Sequence, residues 1–264
     1  MDSTGISIRR TGRVAVVRFD RSDDLNALSL DLMGQLTETA LSFQEDAETS
    51  AVVLTGGSKA FCAGIDLRDP QLIGSFLQPV GRRRQALAIG PKMCRAWESM
   101  DQVTICAIEG HCIGGGLALA AACDFRIMGR GARCRIPELS LGMNLSWQTL
   151  PRLVHLVGPA RAKQIVILAE EVSAEQAHIW GLAEEVVENG KAMEAAIAMA
   201  EKVARMPPIP VRMTKQAVNA VTNALDHATA YMDLDQLMLC LTTADHREGL
   251  EAFLTKREPT FKGE

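Results

Sequence analysis

Two glycine-rich turns constrain this chain more than any other feature. Residues 60–67 read A-F-C-A-G-I-D-L and follow the apolar run A-V-V-L at 51–54. Residues 110–119 read G-H-C-I-G-G-G-L-A-L and follow V-T-I-C-A-I at 103–108. Short runs rich in β-branched residues, closed by turn residues, predict strands. The small residues after Gly114-Gly115-Gly116 predict a helix over 117–122. A strand-to-helix turn points backbone N–H groups outward, and the helix N-terminus adds positive dipole. Two such amides aimed at one point can hold an oxyanion. The glycine spacing is not G-x-G-x-x-G, and no G-K-[ST] follows, so neither nucleotide fingerprint applies.

The rest of the pattern supplies a frame for these turns. A strand is predicted over 14–19 and another over 124–128. A helix is predicted over 30–44, with Ser29 as its N-cap. Strands alternating with helices predict an α/β fold with largely parallel pairing. Between 68 and 101, prolines at 70, 79 and 91 predict broken helices covering a pocket. From 192 onward the pattern is helical, apart from a joint at Pro207, Pro208 and Pro210. This divides the chain into a core over 1–200 and a helical region over 201–264.

Composition excludes several classes. The net charge of −4, aromatics at 4% and a single Tyr231 argue against a nucleic-acid partner. Local basic runs, Arg9, Arg10 and Arg13 and then Arg82, Arg83 and Arg84, read as solvated faces or phosphate contacts. Seven cysteines without a C-x-x-C pair predict free thiols in a reducing, cytoplasmic setting. Five scattered histidines predict no metal site. The polar N-terminus and the lack of a long uncharged apolar run predict neither a signal peptide nor a membrane span.

Taken with R-S-D-D-L-N-A-L at 21–28, A-A-A-C-D-F-R at 120–126, I-P-E-L-S-L-G at 136–142, L-P-R-L-V-H-L-V-G-P-A-R-A at 150–162, A-H-I-W-G-L-A-E-E-V-V at 177–187 and F-L-T-K-R-E-P-T-F at 253–261, the two turns give a pattern along nearly the whole chain. The sequence resembles the enoyl-CoA hydratase/isomerase (crotonase) superfamily. The resemblance implies a spiral of ββα repeats with a C-terminal helical trimerisation region, in trimers or pairs of trimers. It implies an acyl-CoA thioester substrate and no separate cofactor, coenzyme A being part of the substrate. The oxyanion amides would be those of Ala63 and Gly115. Ala63, Gly64, Ile65 and Asp66 would line the thioester and pantetheine. Asn26 and Leu28 would shape the turn beside the adenine, and Lys256 would reach a CoA phosphate. Asp23 stands where many relatives have a basic residue. Trp147 lies in a stretch that is often glycine-rich in relatives, and so narrows the acyl pocket.

The resemblance also bears on the reaction. Hydratases of this kind use two glutamates. The first position is Ala118 here and the second is Glu138; a third acid, used by other relatives, would fall at Ser146. One retained acid suits Δ3,Δ2-enoyl-CoA isomerisation, in which a single base moves a proton from C2 to C4. Fatty-acid metabolism is one setting for that reaction. The alternatives are a hydratase with a substitute acid, from Glu109 or the 68–101 segment, and a CoA thioester hydrolase or decarboxylase. A non-catalytic CoA- or RNA-binding protein is the alternative outside enzymes. Two further readings come from the residues themselves: Asp66 holds its own turn, and His111 packs.

Overall fold

The computed structural model describes residues 5–21 and 25–264, the His227 side chain excepted. Strands β1 (Ile6–Thr11) and β2 (Val14–Phe19) form an antiparallel hairpin that turns at Gly12. Helix α1 (Leu30–Ser42) starts where expected, the Ser29 Oγ accepting the Leu32 N–H at 3.1 Å, and ends two residues early. Strands β3 (Ala51–Thr55) and β4 (Ala60–Cys62) precede three short helices. These are α2 (Pro70–Phe76), α3 (Val80–Leu87) and α4 (Ile89–Glu98), the expected broken helices. Pro70 sits at the first position of α2, where its missing N–H is harmless, and Asp69 caps that helix.

The next units repeat the plan. Strands β5 (Val103–Ile108) and β6 (His111–Ile113) lead into α5 (Gly115–Ala121). Strands β7 (Phe125–Gly129) and β8 (Arg133–Arg135) lead through a 3-10 turn, Glu138–Leu141, into α6 (Thr149–Ile167), which kinks at Gly158 before Pro159. The pairs β3/β4, β5/β6 and β7/β8 each send their first strand to a six-stranded sheet, ordered β1-β2-β3-β5-β7-β10, and their short second strand to a sheet ordered β4-β6-β8-β9. The last members are β9 (Val172–Ser173) and β10 (Glu185–Val187), with α7 (Ala174–Trp180) between them. The larger sheet is parallel except for β1, as the alternation predicts.

The central strands are buried on both faces, so they read as continuous apolar runs. Along β3 and β5, Ala51, Val53, Val103, Ile105 and Ala107 face α8 (Ala192–Ala204), while Val52, Leu54, Cys106 and Ile108 face the main core. Ala192, Ala196 and Ala200 recur every four residues on α8, and their small side chains let the helix sit close against the sheet. That packing moves a boundary: α8 runs across residue 200 and belongs to the core, and the joint is at Pro207, which leads into α9 (Pro208–Thr222). Helices α10 (Asp226–Ala230), α11 (Asp233–Cys240) and α12 (Ala244–Thr255) complete the chain. Among the described residues no helix is long and apolar enough to cross a membrane.

Candidate active site

The two glycine turns meet. Gly64 has φ +92°, and a Cβ built on it would stand 3.8 Å from the Gly115 nitrogen. The Leu28 N–H donates to the Gly64 carbonyl at 2.7 Å, and the Asp66 N–H donates to the Leu28 carbonyl at 2.9 Å. In such a parallel bridge residues 64 and 66 face Leu28, so the Ile65 N–H points the other way. Ile65 and Gly115 both line one small cavity, and neither N–H has an acceptor among the described residues. Gly115 is the first residue of α5, where no intrahelical acceptor exists.

This geometry corrects one expectation. The Ala63 N–H donates to the Leu25 carbonyl at 3.1 Å and is not available to an oxyanion. The free amide of that turn belongs to Ile65, two residues on. Sequence reasoning found the turn but not which N–H the αL glycine turns outward.

The triple glycine makes room for three different neighbours. A Cβ at Gly114 would lie 2.7 Å from the Glu138 Oε1, one at Gly115 would lie 2.6 Å from the Trp147 ring, and one at Gly116 would lie 2.6 Å from the Cys62 Cβ. Any side chain there would displace the acid, the indole or the packing of α5 on β4.

Glu138 opens the 3-10 turn beside this triplet. The residue keeps part of its surface open, but its Oε2 is sealed from solvent and accepts no hydrogen bond. Burial pushes the carboxyl up to about 7, against a smaller lowering by its own backbone N–H. That places its ionisation where a proton-transfer group works near neutral pH. Ala118 and Ser146 line the same cavity, and among the described residues no second acid does.

The substitute acids are placed elsewhere. The Glu109 Oε1 accepts the Ala192 N–H at 3.0 Å and caps α8, and Glu109 does not line the cavity. Glu98 is paired with Arg152 at 2.7 Å, Asp69 caps α2, and Asp101 accepts from Gln216. Asp66 holds its turn as expected, accepting the Arg68 N–H at 3.0 Å and pairing with Arg21 at 2.9 Å. His111, expected to pack, is exposed on β6.

Other expected residues are divided. Trp147 is buried and lines the cavity, on a left-handed backbone (φ +63°). Asn26 and Leu28 hold their turn, and Asn26 also lines a separate small cavity with Leu25, Gly57 and Lys59. The Asn26 side chain donates to the Phe19 and Phe61 carbonyls, both at 2.8 Å, and accepts the Arg21 N–H at 2.9 Å, which uses both of its amide hydrogens. Leu28 is fully buried. Lys256 is exposed at the end of α12 and does not line the cavity of its own chain. Asp23 lies outside the described residues. Met143, Asn144, Leu145, Thr149 and Leu237, which the sequence did not single out, complete the cavity.

Size alone would select a different place. A cavity of about 630 Å³ lies between α9 and the end of α5, against about 70 Å³ here. The larger one has an apolar lining, and its charges are paired, Glu98 with Arg152 and Asp124 with Lys215 at 2.8 Å. The chemistry sits in the smaller. All seven cysteines are free thiols, and burial pushes Cys62 and Cys94 up to about 12, which makes them poor nucleophiles. Among the described residues no cluster of His, Cys, Asp or Glu is placed to hold a metal.

The sequence and the fold match known proteins. The family model described as enoyl-CoA hydratase/isomerase matches residues 9–264. The short-chain-enoyl-CoA hydratase of Clostridium acetobutylicum is 32% identical over 260 residues, covering 98% of this chain and 97% of that one. The crystal structure of an enoyl-CoA hydratase from Bacillus anthracis, 35% identical, superimposes with a TM-score of 0.77 over 98% of this chain and 100% of the other. That of a carnitinyl-CoA hydratase from Mycobacterium avium, 30% identical, does so at 0.86 over 98% and 99%. The chain belongs to the enoyl-CoA hydratase/isomerase family.

Proposed function

We propose that this protein moves a proton at the α-carbon of an acyl-CoA thioester, using Glu138 as its one base and the Ile65 and Gly115 amides as an oxyanion hole. The observation that carries the reading is a single acid in a cavity shared with two amides that have no acceptor. Δ3,Δ2-enoyl-CoA isomerisation needs these groups and no others. The Glu138 carboxylate takes the C2 proton, and the electron pair spreads to the thioester oxygen. The two N–H groups hold that charge, each contributing on the order of 3 kcal/mol. The same carboxyl then returns the proton at C4, and the double bond ends between C2 and C3.

Hydration is the second reading, and the names of the relatives favour it. With alanine at position 118, Glu138 alone would take a proton from water as its oxygen adds to C3, and deliver that proton to C2. We further propose that the protein is a trimer or a dimer of trimers, that Lys256 acts on a CoA phosphate across subunits, and that the setting is cytoplasmic.

The test is to assay 3-hexenoyl-CoA and crotonyl-CoA side by side with the unaltered protein and Glu138→Gln. Conversion of the 3-enoyl to the 2-enoyl ester, reduced roughly 10²–10⁴-fold in the variant, with little hydration, supports isomerisation. Dominant hydration that also depends on Glu138 supports the second reading. Activity that survives Glu138→Gln overturns both.

A further inference from the structure

Buried polar atoms without partners are rare in folded proteins, and each calls for an explanation. Among the described residues eight side-chain atoms are of this kind, and three belong to residues lining the small cavity: Glu138 Oε2, Thr149 Oγ1 and Asn144 Oδ1. Glu138 has its place in the chemistry above. The other two do not, since neither the oxyanion nor the proton transfer uses them.

Thr149 is fully buried at the first position of α6. A valine there would fill the same space without an unmatched hydroxyl. Asn144 is fixed in orientation: its Nδ2 donates to the Asp233 carbonyl at 3.0 Å, which leaves the Oδ1 as the atom without a partner. An Oδ1 only accepts, so the missing partner must be a donor. Thr149 Oγ1 can donate or accept. Among the described residues no cationic side chain lines the cavity, and Glu138 is acidic, so an acyl group ending in a carboxylate would meet repulsion without compensation.

The cavity is also short. At about 70 Å³ it has room for roughly five water-sized groups. Trp147 closes one side: its indole lies against Gly90 of α4 and Gly115, where any side chain would overlap it.

We infer that the acyl cavity takes a short acyl group bearing a hydroxyl beyond C3, hydrogen-bonded by Thr149 and Asn144. This rests on the acyl-CoA reading and narrows its substrate class. A hydroxyl supplies the donor that Asn144 lacks and can also pair with Thr149, whereas a plain alkyl chain would leave both atoms buried and unpaired. Sites built to bond a substrate hydroxyl discriminate against the analogue without it for this reason.

The test measures dissociation constants by titration calorimetry for butyryl-CoA, 3-hydroxybutyryl-CoA and 4-hydroxybutyryl-CoA. The unaltered protein, Thr149→Val and Thr149→Ser are compared, with thermal melts as the check on folding. The expected result is 4-hydroxybutyryl-CoA binding at least about tenfold tighter than butyryl-CoA. That preference is lost in Thr149→Val and kept in Thr149→Ser. Equal affinities in the unaltered protein overturn the inference, and so does a preference that survives Thr149→Val. A preference for the 3-hydroxy ester alone overturns it too, and assigns these atoms to the oxygen added in hydration. Failure of all three esters to bind would overturn the acyl-CoA reading itself, a different and distinguishable result.

Discussion

At the scale of single residues, Glu138 and Thr149 are each placed against the stability of the fold. Burial raises the Glu138 carboxyl from 4.5 to about 7. The folded protein therefore favours the protonated form. This contribution is fully present below pH 4.5 and is lost as pH rises through 7. Above pH 7 the ionised carboxylate disfavours the fold by about 3 kcal/mol. Glu138→Gln removes that penalty. Urea melts at pH 8 should show the variant to be the more stable, with the gap closing toward pH 4. A constant gap, or none, would mean that the carboxyl is not perturbed. The rate has the opposite sign, because only the ionised form is a base: kcat/KM should rise with pH and reach half its plateau near 7. Thr149→Val tests the same trade at a neutral group. Removing an unpartnered buried hydroxyl should stabilise the ligand-free protein by about 1–3 kcal/mol, read as a higher Tm. A lower Tm would show that the hydroxyl has a structural partner. Glu138 was legible in the sequence through its motif. Thr149 was not, because threonine at a helix start is ordinary and only the missing partner marks it.

At the scale of elements, the segment between the 3-10 turn and α6 is held from three sides. Trp147 and Gln148 both have left-handed backbones, at φ +63° and +57°. Such positions in non-glycine residues cost about 1–3 kcal/mol each and persist only when their surroundings fix them. The Arg152 Nη1 donates to the Trp147 carbonyl at 2.7 Å, and Arg152 is itself paired with Glu98 of α4. The Gln148 N–H donates to Asp233 of α11, also at 2.7 Å. Gly90 of α4 receives the indole. Gly90→Ala should therefore act on the cavity from a distance. The added methyl overlaps the Trp147 ring, and overpacking of this kind costs about 1–3 kcal/mol. Loss of acyl-CoA affinity with that loss of stability, both restored by adding Trp147→Leu, is the expected outcome. An unchanged Tm in Gly90→Ala would mean that the indole has free room to move. The sequence disclosed the broken helices of 68–101 through their prolines and the narrowing residue Trp147 through its place in the chain. It did not disclose that α4 and Trp147 meet, since a glycine inside a helix has many explanations. Nor did it assign the oxyanion amide correctly: which N–H faces out depends on the φ of Gly64, and the residue names do not encode that angle.

At the scale of the molecule, β3 and β5 at the centre of the larger sheet were legible because they are buried on both faces and read as apolar runs, and β2 and β7 beside them were read too, whereas the three-residue, partly exposed β10 at its edge was not. Two other kinds of strand were not. The second sheet is built from strands of two or three residues, too short to show a period. Strand β1 is mostly exposed, and the R-R in its sequence hides it. The C-terminal helices carry the remaining whole-molecule statement. On α9 and just beyond it, Ile209, Val221 and Leu225 are 69%, 81% and 78% exposed, and Met213 and Val218 are also open. Of these, Val218 lines the apolar cavity of about 630 Å³. A concentration of large apolar side chains on one region marks a contact surface. The trimer or pair of trimers proposed above would cover such a surface with other copies of this chain. Light scattering should then give a mass of three or six times 28.6 kDa. Val218→Asp with Val221→Asp places two charges in that contact and should reduce the mass to that of one chain, with the helical content retained. A single-chain mass for the unaltered protein would sink the assignment. An assembly unaffected by the double substitution would move the contact to another face and leave α9 without a partner.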